Sequence, residues 1–199
     1  MTAIVVPFRG DRDKQRIEAP DELRAHLALA MLGDVVAACV TTARTLVVTA
    51  DESAGALAAG LGAEARSDPG GGQGAAVQAA LAGLPEEPAL VVNADVPCVV
   101  PHDLRTLAAT CELGALGLVE ANDGTTNALA LPRPAVFAPL YGARSAERFR
   151  DHAAAIGVDA MSAAIPNLVH DVDSLDDLER LTLRAGPRTQ AALALLKRA

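Results

Sequence analysis

The sequence predicts an α/β domain built on a mostly parallel sheet with helices on both faces. Three observations predict it. Short β-branched runs alternate with longer stretches of helical periodicity along the chain, the signature of strand–helix–strand crossovers. The strand candidates are mostly continuous apolar runs rather than alternating ones, which suits strands buried on both faces. The 199 residues, 51% of them hydrophobic, contain no repeat, low-complexity tract or linker. Residues 1–199 are therefore expected to form a single domain with its own core.

In chain order, strands are expected at residues 4–7, 45–49, 89–93, 116–120 and 128–131. The first helix is expected over 21–40, where Leu23, Leu27, Ala30, Met31 and Val35 recur at helical spacing behind Asp21, a suitable N-cap. Further helices are expected over 51–61, 73–84, 101–111, 145–157, 174–184 and 189–197. In such sheets ligands bind beyond the carboxyl ends of the strands. Polar segments fall there: residues 9–16 after the first strand, Asp95 after Val91-Val92-Asn93, and Asp171 after Leu168-Val169, read as a strand end.

The net charge of −8, from 17 basic and 25 acidic residues, argues against nucleic acid as the main partner. A phosphate backbone demands a basic face, although a local basic cluster suffices for one nucleotide. Aromatics make up only 2% of the chain, so Ala, Leu and Val must fill the interior. Cys39, Cys98 and Cys111 are too few and scattered for a disulfide framework or a zinc site, and read as small core residues of a reducing compartment. The chain enters a strand-like run at Ile4-Val5-Val6 and reaches Arg9 before any long apolar stretch. Neither a signal-peptide pattern nor a bilayer-crossing span is expected, which points to a cytoplasmic protein with no membrane partner.

Five segments carry chemistry. Pro7-Phe8-Arg9-Gly10, followed by Arg12, Lys14 and Arg16, places several cations after the first strand. A triphosphate needs them as charge builds at its α-phosphorus; a solvated charged loop is the plain alternative. The loop matches neither Walker A nor G-x-G-x-x-G. In Asp68-Pro69-Gly70-Gly71-Gly72-Gln73-Gly74 the glycines permit close approach of a ligand to a helix N-terminus, or simply form a flexible turn. Asp95, just past an apolar strand and beside Pro97, is placed to hold Mg²⁺ or to serve as a turn aspartate.

In His170-Asp171-Val172-Asp173 the two aspartates point the same way if the segment is extended. Two carboxylates on one face repel each other unless a cation lies between them. Asp176 and Asp177 have a simpler role as first-turn acids of a helix capped by Ser174. A D-x-D also occurs in metal-dependent glycosyltransferases, so it does not choose a reaction. Last, Asp123-Gly124-Thr125-Thr126-Asn127 and Gly142-Ala143-Arg144-Ser145 offer hydroxyls and helix-start N–H groups to a small phosphate or carboxylate. An N-cap role for Ser145 is the structural alternative.

Taken in order, these segments resemble the guanylyltransferases of deazaflavin coenzyme F(420) biosynthesis, within the molybdenum-cofactor-type nucleotidyltransferases. The resemblance spans nearly the whole chain. It rests on Val5-Val6-Pro7-Phe8-Arg9-Gly10 with Lys14 and Arg16, on Ala30-Met31-Leu32-Gly33-Asp34-Val35, and on the Pro-Gly-Gly-Gly loop. Asn93-Ala94-Asp95-Val96-Pro97, Gly124-Thr125-Thr126-Asn127 and Asp171-Val172-Asp173 complete it. It implies a Rossmann-like three-layer αβα nucleotidyltransferase fold and transfer of GMP from GTP, with release of pyrophosphate. The implied acceptor is phosphoenolpyruvate or 2-phospho-L-lactate. By this resemblance Asp95, Asp171 and Asp173 hold Mg²⁺, and Thr126, Gly142 and Ser145 contact the acceptor. Pro7, Arg9, Gly10, Gly71 and Gly72 are expected around the nucleotide, with Lys14 and Arg16 as the catalytic cations that bring two anions together. A homodimer is left open.

Two departures stand out. The run Asp13-Lys14-Gln15-Arg16-Ile17 lacks the usual small residue between lysine and arginine, and Gln73-Gly74 replaces the usual Leu-Asn after the glycines. Guanine is thus implied by the family alone. Three rival readings were weighed: a molybdopterin guanylyl- or cytidylyltransferase, a sugar-nucleotide glycosyltransferase, and a catalytically silent nucleotide-binding subunit. The first usually opens with Leu-Ala-Gly-Gly, which this chain lacks.

Overall fold

The computed structural model describes residues 3–10 and 20–197. Seven strands form one sheet: β1 (Ala3–Pro7), β2 (Arg44–Thr49), β3 (Glu64–Ser67), β4 (Ala89–Val92), β5 (Leu116–Glu120), β6 (Thr126–Leu131) and β7 (Ala160–Ser162). They lie in the order β3-β2-β1-β4-β6-β5-β7. All pairings are parallel except the two made by β6. The link from β5 to β6, residues 121–125, is too short for a crossover, so β6 must return antiparallel.

The helices are α1 (Asp21–Val40), α2 (Glu52–Gly60), α3 (Gln73–Leu81), α4 (Pro101–Ala108), α5 (Ser145–Ala155), α6 (Pro166–Val169), α7 (Leu175–Leu181) and α8 (Pro187–Leu196). Alternation along each strand sorts the core into two faces. Ile4, Val6, Val47, Leu90 and Val92 point to one, where Leu32, Val35 and Val36 of α1, Ala54 of α2 and Leu104 of α4 meet them. Val5, Val48, Val91 and Leu129 point to the other, against Val77 and Leu81 of α3 and Phe149 of α5. Each large aliphatic side chain buried this way contributes about 1.5–3 kcal/mol. The result is the expected three-layer αβα architecture.

A third apolar cluster fixes the C-terminal helices: Leu27 and Met31 of α1 pack with Leu178 and Leu181 of α7 and with Ala192 and Leu193 of α8. Helix α8 is also pinned by a charge. Asp34 of α1, 6% exposed, accepts from the backbone N–H groups of Arg188 (3.2 Å) and Thr189 (2.8 Å) at the start of α8. The three cysteines are free and buried, and burial pushes their thiols above the ordinary range.

Several expectations are corrected. Two strands were not foreseen, β3 and β7, both at sheet edges and exposed. Leu168 and Val169 end α6, a helix opened by Pro166, so Asp171 follows a helix and not a strand. Pro20 occupies the N-cap of α1, with no side-chain cap bond; Asp21 pairs with Arg24 instead. Helix α1 also passes, by length and composition, as a membrane-crossing span, with mean hydropathy 1.6 over 18 residues. More than half of that window is buried, against the sheet and α8, which makes it a core helix here.

Candidate active site

The carboxyl ends of β1 and β4 open onto a groove lined by Pro7, Phe8, Arg9, Gly10, Gln73, Asn93 and Asp95. An adjoining cavity is lined by Arg9, Gly71, Gly72, Gln73, Tyr141 and Gly142. The glycine loop is shaped by backbone conformation: Gly70, Gly71 and Gly72 take φ of 82°, 84° and 95°, a region that side-chain-bearing residues avoid. It leads into α3 at Gly72, so the first N–H groups of a nine-residue helix face this cleft. The five nucleotide candidates, Pro7, Arg9, Gly10, Gly71 and Gly72, therefore line these two adjoining cavities, together with the acceptor candidate Gly142. Lys14 and Arg16 lie outside the described residues.

Asp95, Asp171 and Asp173 converge as expected. One carboxylate oxygen of each lies within 4.8 Å of the other two, and all three side chains are half-buried. The two segments that carry them are joined by one backbone bond, Val172 N–H to Asp95 O at 3.0 Å. Burial, then the neighbouring Asp95 and Asp173 charges, push the Asp171 carboxyl up to about 6. This all-oxygen donor set suits a hard divalent cation such as Mg²⁺. A further cavity is lined by Asp171 and Asp173 together with Asn122, His170, Arg180 and Arg184.

The remaining acceptor candidates have a different environment. Thr126 and Ser145 are 1% and 0% exposed, and the Ser145 hydroxyl donates to Thr126 Oγ1 at 3.0 Å. Their side chains tie β6 to α5 beneath the Gly142 turn. Ser145 is the first residue of α5, with Arg144 in the N-cap position, so it does not cap the helix as the structural alternative supposed. Three further polar residues, Gln73, Asn93 and Asn127, connect these segments. Gln73 Nε2 donates to Asn93 Oδ1 (2.7 Å), and Asn93 Nδ2 donates to the Thr126 carbonyl (3.1 Å). Asn127, 1% exposed, donates to the Leu168 and Val169 carbonyls (3.0 and 3.2 Å) and to Asp171 Oδ1 (3.4 Å). The available signal was a polar residue at the end of an otherwise apolar strand.

A Rossmann-like sheet, a glycine-rich loop at a helix start and a three-carboxylate cluster beside the end of β4 are the parts a nucleotidyltransferase needs, and the chain is an enzyme of that class. Comparison with known proteins agrees. The chain belongs to the MobA-like NTP transferase family, whose model matches residues 10–188. It is 39% identical over 206 residues to the phosphoenolpyruvate guanylyltransferase of Streptomyces coelicolor, covering 97% of this chain and 96% of that one. It is 37% identical over 210 residues to the protein of the same name from Streptomyces scabiei, with the same two coverages. Among solved structures, one assigned to the nucleotide-diphospho-sugar transferases, from Desulfovibrio desulfuricans G20, aligns with a TM-score of 0.77 at 16% identity, covering 99% of this chain and 97% of that one. That likeness establishes the fold.

Proposed function

We propose that this protein transfers GMP from GTP to phosphoenolpyruvate, in the cytoplasm and as a step of coenzyme F(420) biosynthesis. The observation that carries the proposal is the aspartate cluster beside the glycine-loop cleft in a chain 39% identical, end to end, to a phosphoenolpyruvate guanylyltransferase. A phosphate oxygen of the acceptor attacks the α-phosphorus of GTP; a new P–O bond forms, the bond to the β-phosphate breaks, and pyrophosphate leaves. The nucleophile is already an anion, so no general base is required. Asp95, Asp171 and Asp173 are the residues that would hold Mg²⁺, which supplies charge neutralisation between the two anionic substrates. Arg9, at the junction of the cavities, with Lys14 and Arg16 would add fixed positive charge to the triphosphate.

The acceptor is proposed to seat at the Gly142 turn, backed by the Thr126–Ser145 pair. Pyrophosphate release from purified protein with GTP and Mg²⁺ tests the reading, comparing phosphoenolpyruvate, 2-phospho-L-lactate and no acceptor. Release that depends on phosphoenolpyruvate is the expected result. Release with 2-phospho-L-lactate alone would reassign the acceptor, and GTP binding without release would favour a silent subunit. Equal rates with CTP or ATP would remove the assignment of guanine.

A further inference from the structure

We infer that Asn127 is a positioning residue of the aspartate centre, holding the two ligand-bearing segments in register. The inference rests on the reading of Asp95, Asp171 and Asp173 as a divalent-cation site. Strand β6 is buried along its whole length, and Asn127 sits in it among Ala128, Leu129 and Ala130. An amide there is costly unless its bonds are made. Its backbone carbonyl accepts from Asn93 N–H at 2.9 Å, two residues before Asp95. Its side-chain nitrogen holds the Leu168 and Val169 carbonyls and reaches Asp171 Oδ1. One residue thus touches both segments that supply the carboxylates.

The choice of asparagine also has a reason. Leu168 and Val169 close α6, only four residues long, and such a helix end leaves carbonyls that need donors. An aspartate at 127 would turn acceptors toward acceptors, and a leucine would leave those carbonyls bare. Among the described residues, the buried amide oxygen of Asn127 has no hydrogen-bond partner. It shares a carbon with the nitrogen that reaches Asp171. Outer partners of this sort orient metal ligands, and their loss weakens metal binding by roughly ten- to a hundredfold.

The test is Mn²⁺ titration of the full-length protein without nucleotide, followed by the paramagnetic resonance of free Mn²⁺. Wild type, Asn127→Ala and Asn127→Ser are compared, and melting in EDTA is recorded for each. The expected result is Mn²⁺ binding that is roughly tenfold or more weaker in the folded variants. In an Asp171→Asn background, Asn127→Ala should change Mn²⁺ affinity by less than about twofold, because the ligand it positions is already lost. Unchanged affinity in a folded Asn127 variant would overturn the inference. So would failure of both variants to fold, which would make Asn127 a purely structural residue. Wild-type protein that binds no Mn²⁺ would instead overturn the cation centre, and this inference with it.

Discussion

Asp171 shows what the site demands of a single side chain. In the unfolded chain its carboxyl titrates near 3.8, whereas in the metal-free fold it is raised to about 6. The folded protein therefore holds that proton more tightly. The stability this gives is present below about pH 4 and is lost as pH rises toward 6. A divalent cation offsets both the burial penalty and the Asp95 and Asp173 repulsion behind the shift, in competition with the proton. Mg²⁺ should thus raise the melting temperature more at pH 7.5 than at pH 5; equal increments at both would contradict this. Replacing Asp95 or Asp173 by Asn should lower turnover by about a thousandfold or more, with the circular dichroism spectrum unchanged. Near-normal rates at saturating Mg²⁺ would remove the metal assignment. The grouping of these carboxylates was legible only through the ordered set of motifs, since a turn role explains Asp95 taken alone equally well. Asn93, Gln73 and Asn127 were not legible, since their partners are 20 to 44 residues away and a polar residue at an element's end does not name its partner.

At the scale of elements, two contacts decide how the cleft is shaped. Helix α3 approaches residue 139 so closely that a Cβ at Gly74 would lie 2.7 Å from Pro139 Cβ and 3.0 Å from its Cα. This accounts for a glycine at position 74. Gly74→Ala should cost about 1–3 kcal/mol by overpacking and raise the KM for the acceptor more than that for GTP, as steady-state kinetics would show. The second contact is the hold of Asp34 on α8. Asp34→Asn keeps the volume but places an amide against two N–H donors, and should cost about 2 kcal/mol. Differential scanning calorimetry should find the melting point about 4–8 °C lower. The buried strands and long helices were read correctly because burial on both faces writes an apolar run into the sequence. The edge strands β3, with sequence Glu-Ala-Arg-Ser, and β7, Ala-Met-Ser, carry no such run. Pairing on one side, not burial, creates them.

At the scale of the whole molecule, the strand order β3-β2-β1-β4 places the glycine loop, Arg9 and Asp95 along one rim of the sheet. GTP bound there should stabilise the entire domain. At a concentration 100 times its dissociation constant the gain is about 2.7 kcal/mol, and EDTA should diminish the corresponding rise in melting temperature if the cation bridges protein and phosphates. The fold class and its layers were legible, because they follow from periodicity alone. The docking of α7 and α8 onto α1 was not, since it depends on the buried Asp34 and on shape.

Asp95 stands near the middle of the chain, whereas Asp171 and Asp173 lie in its last third. Val172 N–H bonds to the Asp95 carbonyl, and Gly186 N–H to the Pro97 carbonyl at 2.8 Å. The order of synthesis thereby acquires a meaning. As the polypeptide leaves the ribosome, the nucleotide groove around β1, β2 and β4 gathers first, and the means of reacting arrives only when the late segment docks. On the proposed reading, a nascent or prematurely terminated chain that ends before residue 171 lacks two of the three carboxylates and should be chemically silent toward GTP.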